Sequence, residues 1–237
     1  MREPNAQYNL AKPESLSVRV ATRVRAKMFA AFMREFAPRP AETILDIGVT
    51  SDQSYASSNY LEALYPYKNC ITAAGIDDAS FLEELYPGVT FVHANALELQ
   101  FSDGAFDIVH SSAVLEHVGS FKNQARMVSE CLRVSRRGVY LTTPNRWFPI
   151  EFHTVLPLIH WLPKLWFRAI LSRMGYRFFA EESNLNLATA ADLRRIMKGH
   201  PGCKYRFVPM RLLGWTSNLV LVIYKTKDIE VARKTDA

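Results

Sequence analysis

Apolar and polar positions follow two rhythms along this chain, and the switches between them mark its organisation. Over residues 15–36, Val18, Val24, Met28, Phe32 and Phe36 recur at roughly helical spacing with basic residues between them. That pattern predicts an amphipathic helix, stopped by Pro38 and Pro40. Short apolar runs follow at 43–48 (TILDIG), 71–77 (ITAAGID), 90–95 (TFVHAN), 106–112 (FDIVHSS) and 138–143 (GVYLTT). Their length and their closing turn residues predict buried strands. Helical segments are expected between them at 59–64, 79–86 and 124–134, the last with Met127, Val128, Cys131 and Leu132 on one side.

Strand and helix thus alternate from 43 to 144, which calls for a parallel sheet covered by helices on both faces. Such sheets bind ligands at the carboxyl ends of their strands. Residues 145–187 break the alternation and are rich in Trp, Phe, Pro and His. Within them, residues 163–174 suit a helix with Pro163 at its first position and Gly175 after its end. Lys164, Arg168 and Ser172 share one face of it; Leu165, Trp166, Ala169 and Ile170 lie largely away. This segment reads either as a lid packed on the core or as an interfacial helix making a peripheral membrane contact. A helix is expected at 189–199, then strands at 205–215 and 218–225, whose short connection forces antiparallel pairing. The expected organisation is a single domain over 1–237. It comprises an N-terminal helical segment (1–42), a ligand-binding core (43–144), a lid insertion (145–187) and a C-terminal helix and hairpin (188–237).

Composition narrows the setting. Apolar residues at 49% and charged residues at 22% are an ordinary globular balance. The three cysteines are widely spaced and form no C-x-x-C pair, so they read as buried thiols in a reducing compartment rather than bridges or ligands. The polar N-terminal stretch, with Pro4 and Pro13, lacks the apolar segment of a signal peptide. A cytoplasmic location is the expectation. The net charge of +6 suits an anionic substrate, an anionic surface or a nucleic acid. Its basic residues are spread over helical faces, and no N-P-P-Y-type motif or added RNA-binding region is present, which argues against a nucleic-acid partner.

Candidate chemistry gathers at the strand ends. Asp46-Ile47-Gly48 closes the first strand, where a glycine lets the backbone turn sharply and approach a ligand. Asp77, at the end of the second, can accept two hydrogen bonds from a ribose diol; Asp78 is placed to cap the helix that follows. Asn95, Ala96 and Leu97 after the third strand could frame an adenine, Asn95 through hydrogen bonds and Leu97 by packing on the ring. The run 106–118 (FDIVHSSAVLEHV) joins a buried strand to a small polar turn that contains Ser111, and then to His117. His110, His117, His153, His160 and Glu151 show no spacing that would place a ligand pair on one helix face, so no metal site is expected.

Together, LDIG at 45–48, GID at 75–77, ANALEL at 94–99 and FDIVHSSAVLEHV at 106–118 resemble the class I S-adenosylmethionine-dependent methyltransferases. Within that class the likeness is to the small-molecule branch that includes ubiquinone and menaquinone methyltransferases. The resemblance implies a Rossmann-like, doubly wound, mostly parallel seven-stranded sheet ending in an antiparallel hairpin. It implies S-adenosyl-L-methionine as cofactor, bordered by Asp46, Gly48, Thr50, Asp77, Asn95, Ala96, Leu97 and Ser111. His117 is the first choice for a catalytic base and His153 the second. The family usually carries D-x-G-x-G-x-G after its first strand; here Thr50 and Asp52 replace the later glycines. The expected acceptor is a small molecule, a glycan sugar or a lipid-linked intermediate. The competing readings are an RNA methyltransferase and a degenerate fold acting as a non-catalytic scaffold.

Overall fold

The computed structural model describes residues 16–53 and 57–225. The polar N-terminal stretch and the last residues of the C-terminal segment lie outside them. Seven strands form one sheet in the order β3-β2-β1-β4-β5-β7-β6. In chain order they are β1 (Ile44–Ile47), β2 (Ile71–Gly75), β3 (Thr90–His93), β4 (Phe106–Ser112), β5 (Ser135–Pro144), β6 (Cys203–Leu212) and β7 (Trp215–Lys225). β1 pairs parallel with both β2 and β4, and β5 pairs parallel with β4. β7 runs antiparallel to both β5 and β6. This is the α/β architecture anticipated from the alternation, with the terminal hairpin in place.

Strand residues alternate between two cores, since successive side chains leave opposite faces of a sheet. Leu45, Ile47, Val139, Leu141 and Leu221 join Met127, Val128, Cys131, Leu193 and Ile196 on one face. Those helical residues belong to α4 (Phe121–Val134) and α7 (Ala190–Met197). Ile44, Ala73, Ile108, Tyr140 and Val222 join Met28, Phe32, Phe36, Tyr60 and Leu82 on the other. Those come from α1 (Leu16–Phe36), α2 (Tyr60–Leu64) and α3 (Phe81–Leu85).

Several boundaries differ from the sequence expectation. α4 starts at Phe121, three residues early, because Ser120 caps it by accepting from Asn123 N–H. β5 takes up Ser135–Arg137 and Pro144 as well, since the chain passes from α4 directly into the strand. The hairpin turns at Leu213–Gly214, not near 216–217, so the run 205–215 is not one strand. Both turn residues have positive φ, 50° and 83°, the geometry that matches the twist of paired strands. Asp78 does not cap α3: its carboxylate accepts from Ser80 N–H in a turn before the helix. Pro163 occupies the position before α5 (Lys164–Arg173), and Gly175 follows that helix with φ 90°. Cys70 and Cys131 are buried thiols, but Cys203 is only half-buried.

Residues 145–187 hold two short helices and a 3-10 turn. Phe167, Leu171, Phe179, Leu185 and Leu187 make a small core of their own. It joins α5 and α6 (Arg177–Ala180) to the segment that follows them, which supplies Leu185 and Leu187. α5 turns Phe167 and Leu171 inward, while Leu165 and Trp166 are exposed. Thr189 caps α7 with a reciprocal capping box to Asp192, ending the insertion sharply.

A buried polar network backs the centre of the sheet. His110 Nδ1–H donates to Asp46 at 2.6 Å, and the Tyr60 hydroxyl donates to His110 Nε2 at 2.8 Å. Burial holds the His110 imidazole down to about 4, so it stays neutral and keeps this donor–acceptor polarity. Burial raises the Asp46 carboxyl to about 7. Glu62 on α2 is wholly buried, and burial first, then the Asp46 charge, push its carboxyl well above the usual range. A carboxyl raised in the folded state contributes fully below its unfolded pKa and opposes folding as pH climbs. Glu62→Gln should therefore be more stable than the native protein at pH 8, with the advantage shrinking toward pH 5, as read by urea melts across that range. A pH-independent difference would show that Glu62 does not ionise against this burial.

Candidate functional site

The strand order reverses between β1 and β4, and open α/β sheets form their ligand crevice at such a reversal. The turn leaving β1 is tied to its neighbour. Gly48 N–H and Val49 N–H both reach Ala74 O, at 2.7 and 3.2 Å. Gly48 has φ 90°, and a Cβ there would run into the Val114 side chain beyond β4. Glycine is thus required twice, by conformation and by space. The chain then bends under Asn59, whose side chain accepts from Thr50 N–H at 2.9 Å and donates to Thr50 O at 3.0 Å. The Thr50 hydroxyl accepts from Asp52 N–H. A side-chain amide and a hydroxyl here order the loop in which the related motif carries further glycines.

The other rim residues stand as follows. Asp77 is half-buried just past β2, beside the exposed Ile76. Asn95 is exposed and folds its own loop, accepting from Leu97 N–H at 2.9 Å; Ala96 is buried beneath it and Leu97 is half-buried. Asp46 and Ser111 point inward. Asp46 belongs to the His110 network, and the Ser111 hydroxyl donates to Ile47 O at 3.0 Å. These two hold β1 and β4 together from within; Gly48, Thr50, Asp77, Asn95 and Leu97 form the open edge.

A second cluster lies past the ends of β4 and β5. His117 closes a 3-10 turn, Leu115–His117, and His153 comes from the insertion. Their Nε2 atoms are 3.2 Å apart, with the rings edge to face. His117 Nδ1–H donates to Asn184 O at 2.6 Å, and His153 Nδ1–H donates to Glu151 at 2.7 Å. Both Nε2 atoms therefore face the same space. Glu116 is wholly buried; one carboxylate oxygen accepts from Thr143 at 2.9 Å, and the other has no hydrogen-bond partner. Glu151 is buried too, accepting from His153 N–H, Thr154 N–H and the Thr154 hydroxyl.

The electrostatics of the cluster follow from this wiring. Burial would raise Glu151, but the His153 charge and the converging donors outweigh it and bring its carboxyl to about 2. Burial would lower His153, but Glu151 raises it overall. Burial and the His153 charge lower His117 to about 3. Burial raises Glu116 to about 7.

Sequence reasoning named both histidines and weighed Glu151 beside them, but missed Glu116 and the hold of Glu151 on His153. The adjacent Glu116-His117 and the Glu151-x-His153 spacing were visible signals. The second is set aside by a helical test, but residues 151–154 form a turn, in which a side chain reaches a residue two positions on.

Residues 46–143 match the family model described as a methyltransferase domain. No curated protein sequence matches the chain. Among solved structures, magnesium protoporphyrin IX methyltransferase from Synechocystis PCC 6803, with bound S-adenosylhomocysteine, is 16% identical with a TM-score of 0.57; the match covers 94% of this chain and 92% of that one. A Burkholderia thailandensis 1,6-didemethyltoxoflavin-N1-methyltransferase, bound to 1,6-didemethyltoxoflavin and S-adenosylhomocysteine, is 14% identical with a TM-score of 0.56, covering 88% and 81%. The [4+2]-cyclase SpnF is 13% identical with a TM-score of 0.57, covering 92% and 85%.

Gly48→Ala should destabilise the protein by about 1–3 kcal/mol, the usual scale of backbone strain and overpacking. Adding Val114→Ala should recover part of that loss by removing the collision, leaving the cost of the positive φ. A double variant no more stable than Gly48→Ala alone, compared by thermal denaturation, would show that space at Val114 is not the constraint. The domain match over residues 46–143 and the strand order together give this chain the fold of these methyltransferase structures.

Proposed function

We propose that this protein transfers the methyl group of S-adenosylmethionine to a small-molecule acceptor, a class that includes glycan and lipid-linked compounds. The crevice where the strand order reverses, bounded by the Gly48 turn and Asp77, carries this reading. The sulfonium already activates the methyl group, so the protein's task is to align the acceptor and exclude water. Gly48 and Thr50 would border the methionine part of the cofactor, and Asp77 would accept hydrogen bonds from the ribose hydroxyls. Asn95, Ala96 and Leu97 would frame the adenine. Asp46 and Ser111 would act from behind, by fixing the strands that carry the rim. His117 and His153 would serve the acceptor end.

The insertion supplies the acceptor's surroundings. Trp147 stands 6.2 Å from Trp161, which stands 6.5 Å from Trp215. Trp147 and Trp215 are each about half exposed, at 50% and 53%, and Phe152 is 41% exposed. Indoles grouped at a surface suit an acceptor with an apolar portion, since they offer flat apolar area with a polar edge. No helix among the described residues is long and apolar enough to cross a membrane. The exposed Leu165 and Trp166 of α5 fit a peripheral contact with a lipid surface.

The replaced glycines favour one other reading, a domain that holds the cofactor without transferring its methyl group. Calorimetry with S-adenosylhomocysteine tests the cofactor site, and Asp77→Ala should weaken binding by about 1–3 kcal/mol. The same loss in Asp78→Ala, with Asp77→Ala unaffected, would reassign the ribose contact. Transfer is read as radiolabelled methyl passing from S-adenosylmethionine into a metabolite extract. Trp147→Ala and Phe152→Ala should cut that incorporation about tenfold while S-adenosylhomocysteine affinity stays within about twofold, because they alter acceptor rather than cofactor contacts. Cofactor binding with no incorporation from any extract would favour the non-transferring reading.

A further inference from the structure

The geometry points to a divalent transition-metal site, of zinc-binding type, formed by Glu116, His117 and His153 beside the crevice. Each offers one donor atom, and these atoms all lie within 4.8 Å of one another. The inference rests on the methyltransferase reading only for what the ion would do, not for its binding.

Three observations converge. The first is the spacing of the nitrogens. Two imidazole nitrogens bound at about 2.0–2.1 Å in a tetrahedral site stand roughly 3.3 Å apart. Here the Nε2 atoms are 3.2 Å apart. The second is the outer layer. Each imidazole gives its Nδ1–H away, His117 to the Asn184 carbonyl and His153 to the Glu151 carboxylate. Partners of this kind orient metal-bound histidines and fix the tautomer that leaves Nε2 as the donor atom. The third is Glu116. Its side chain is wholly buried, and its Oε1 lies 3.9 Å from His117 Nε2 without a hydrogen-bond partner. Its other oxygen is held by Thr143, so the open one is aimed into the cluster.

A proton shared between the imidazoles would satisfy their contact but would leave Glu116 Oε1 buried and unmatched, which is costly. A cation satisfies all three donors. Two imidazoles and a carboxylate are a donor set that zinc accepts while keeping a fourth position open. In that arrangement His117 and His153 bind rather than take up a proton, in place of the role expected from the sequence. The open position would take an oxygen of the acceptor, such as a hydroxyl, at the end of the sheet where β4 and β5 meet the insertion.

The test uses the full chain, stripped with a chelator and titrated with Zn²⁺ by calorimetry, with bound metal counted by elemental analysis after desalting. Close to one equivalent per chain is expected. Glu116→Gln and His153→Ala should each weaken binding by more than about tenfold, and His200→Ala should not. Co²⁺ gives a second readout on the unaltered protein: visible bands of a tetrahedral nitrogen–oxygen site are expected, whether or not the variants fold. Failure to retain Zn²⁺, binding that Glu116→Gln and His153→Ala leave intact, or an octahedral Co²⁺ spectrum like that of the free ion would overturn the proposal. S-adenosylhomocysteine affinity in the same preparation reports separately on the methyltransferase reading, so either can fail alone.

Discussion

The structure turns on one short strand. β1 is four residues long, yet it is buried on both faces and hydrogen-bonded on both edges, to β2 and to β4. Parallel strands need long crossovers, and the one that follows β1 packs on the opposite face of the sheet from the one that follows β4. The two connections therefore diverge at the carboxyl ends of β1 and β4, and the crevice is the space left where they part. Gly48 stands at that point. Its positive φ lets the chain turn immediately, and its missing side chain lets Val114 close over the turn. Everything proposed for the cofactor depends on this divergence and on the buried contacts that hold it rigid.

The insertion is coupled to the same frame through groups just past β4. Asn186 N–H donates to Glu116 O, Asn186 Nδ2 donates to Gly119 O, and Gln124 Nε2 donates to Asn186 O. Lys164 donates to Asn186 Oδ1, which ties α5 to the same residue. Asn186 thus satisfies buried polar groups of both parts, and an interior amide used this completely resists displacement. Residues of the second cluster such as His153 are consequently placed by the core, not by a freely moving loop.

Two buried polar networks back the two halves of the site, and they differ in charge. Asp46, His110, Tyr60 and Glu62 sit against α1 and α2, where burial keeps His110 neutral and lifts both carboxyls. Glu151 and His153, in the second cluster, pair so that each shifts the other toward its charged form. The difference lies in the His153 charge and in the donors supplied: backbone and hydroxyl groups of residues 153–154 converge on Glu151, and ionised carboxylates survive burial when so solvated.

By itself the sequence determined the layered fold, because strand and helix periods and the turn residues that separate them are local properties of the chain. Those periods also located the rim, since a strand's end in the chain is its end in the sheet: Gly48, Asp77 and Asn95 are legible from TILDIG, GID and HAN. What only the tertiary structure decided is which side chains meet across long separations. His117 and His153 are thirty-six positions apart, and Glu116 reaches them from a 3-10 turn with no hydrophobic period to announce it. Asp46 meets His110 across sixty-four positions through a parallel register that pairs them directly. The inward turn of Ser111 likewise depends on its pairing with Ile47. Such contacts are set by strand register and by the packing of the insertion's aromatic core, both of which sum many weak interactions over the whole chain. A short window of sequence does not contain that sum, so local patterns place these residues near the site while folding assigns their partners.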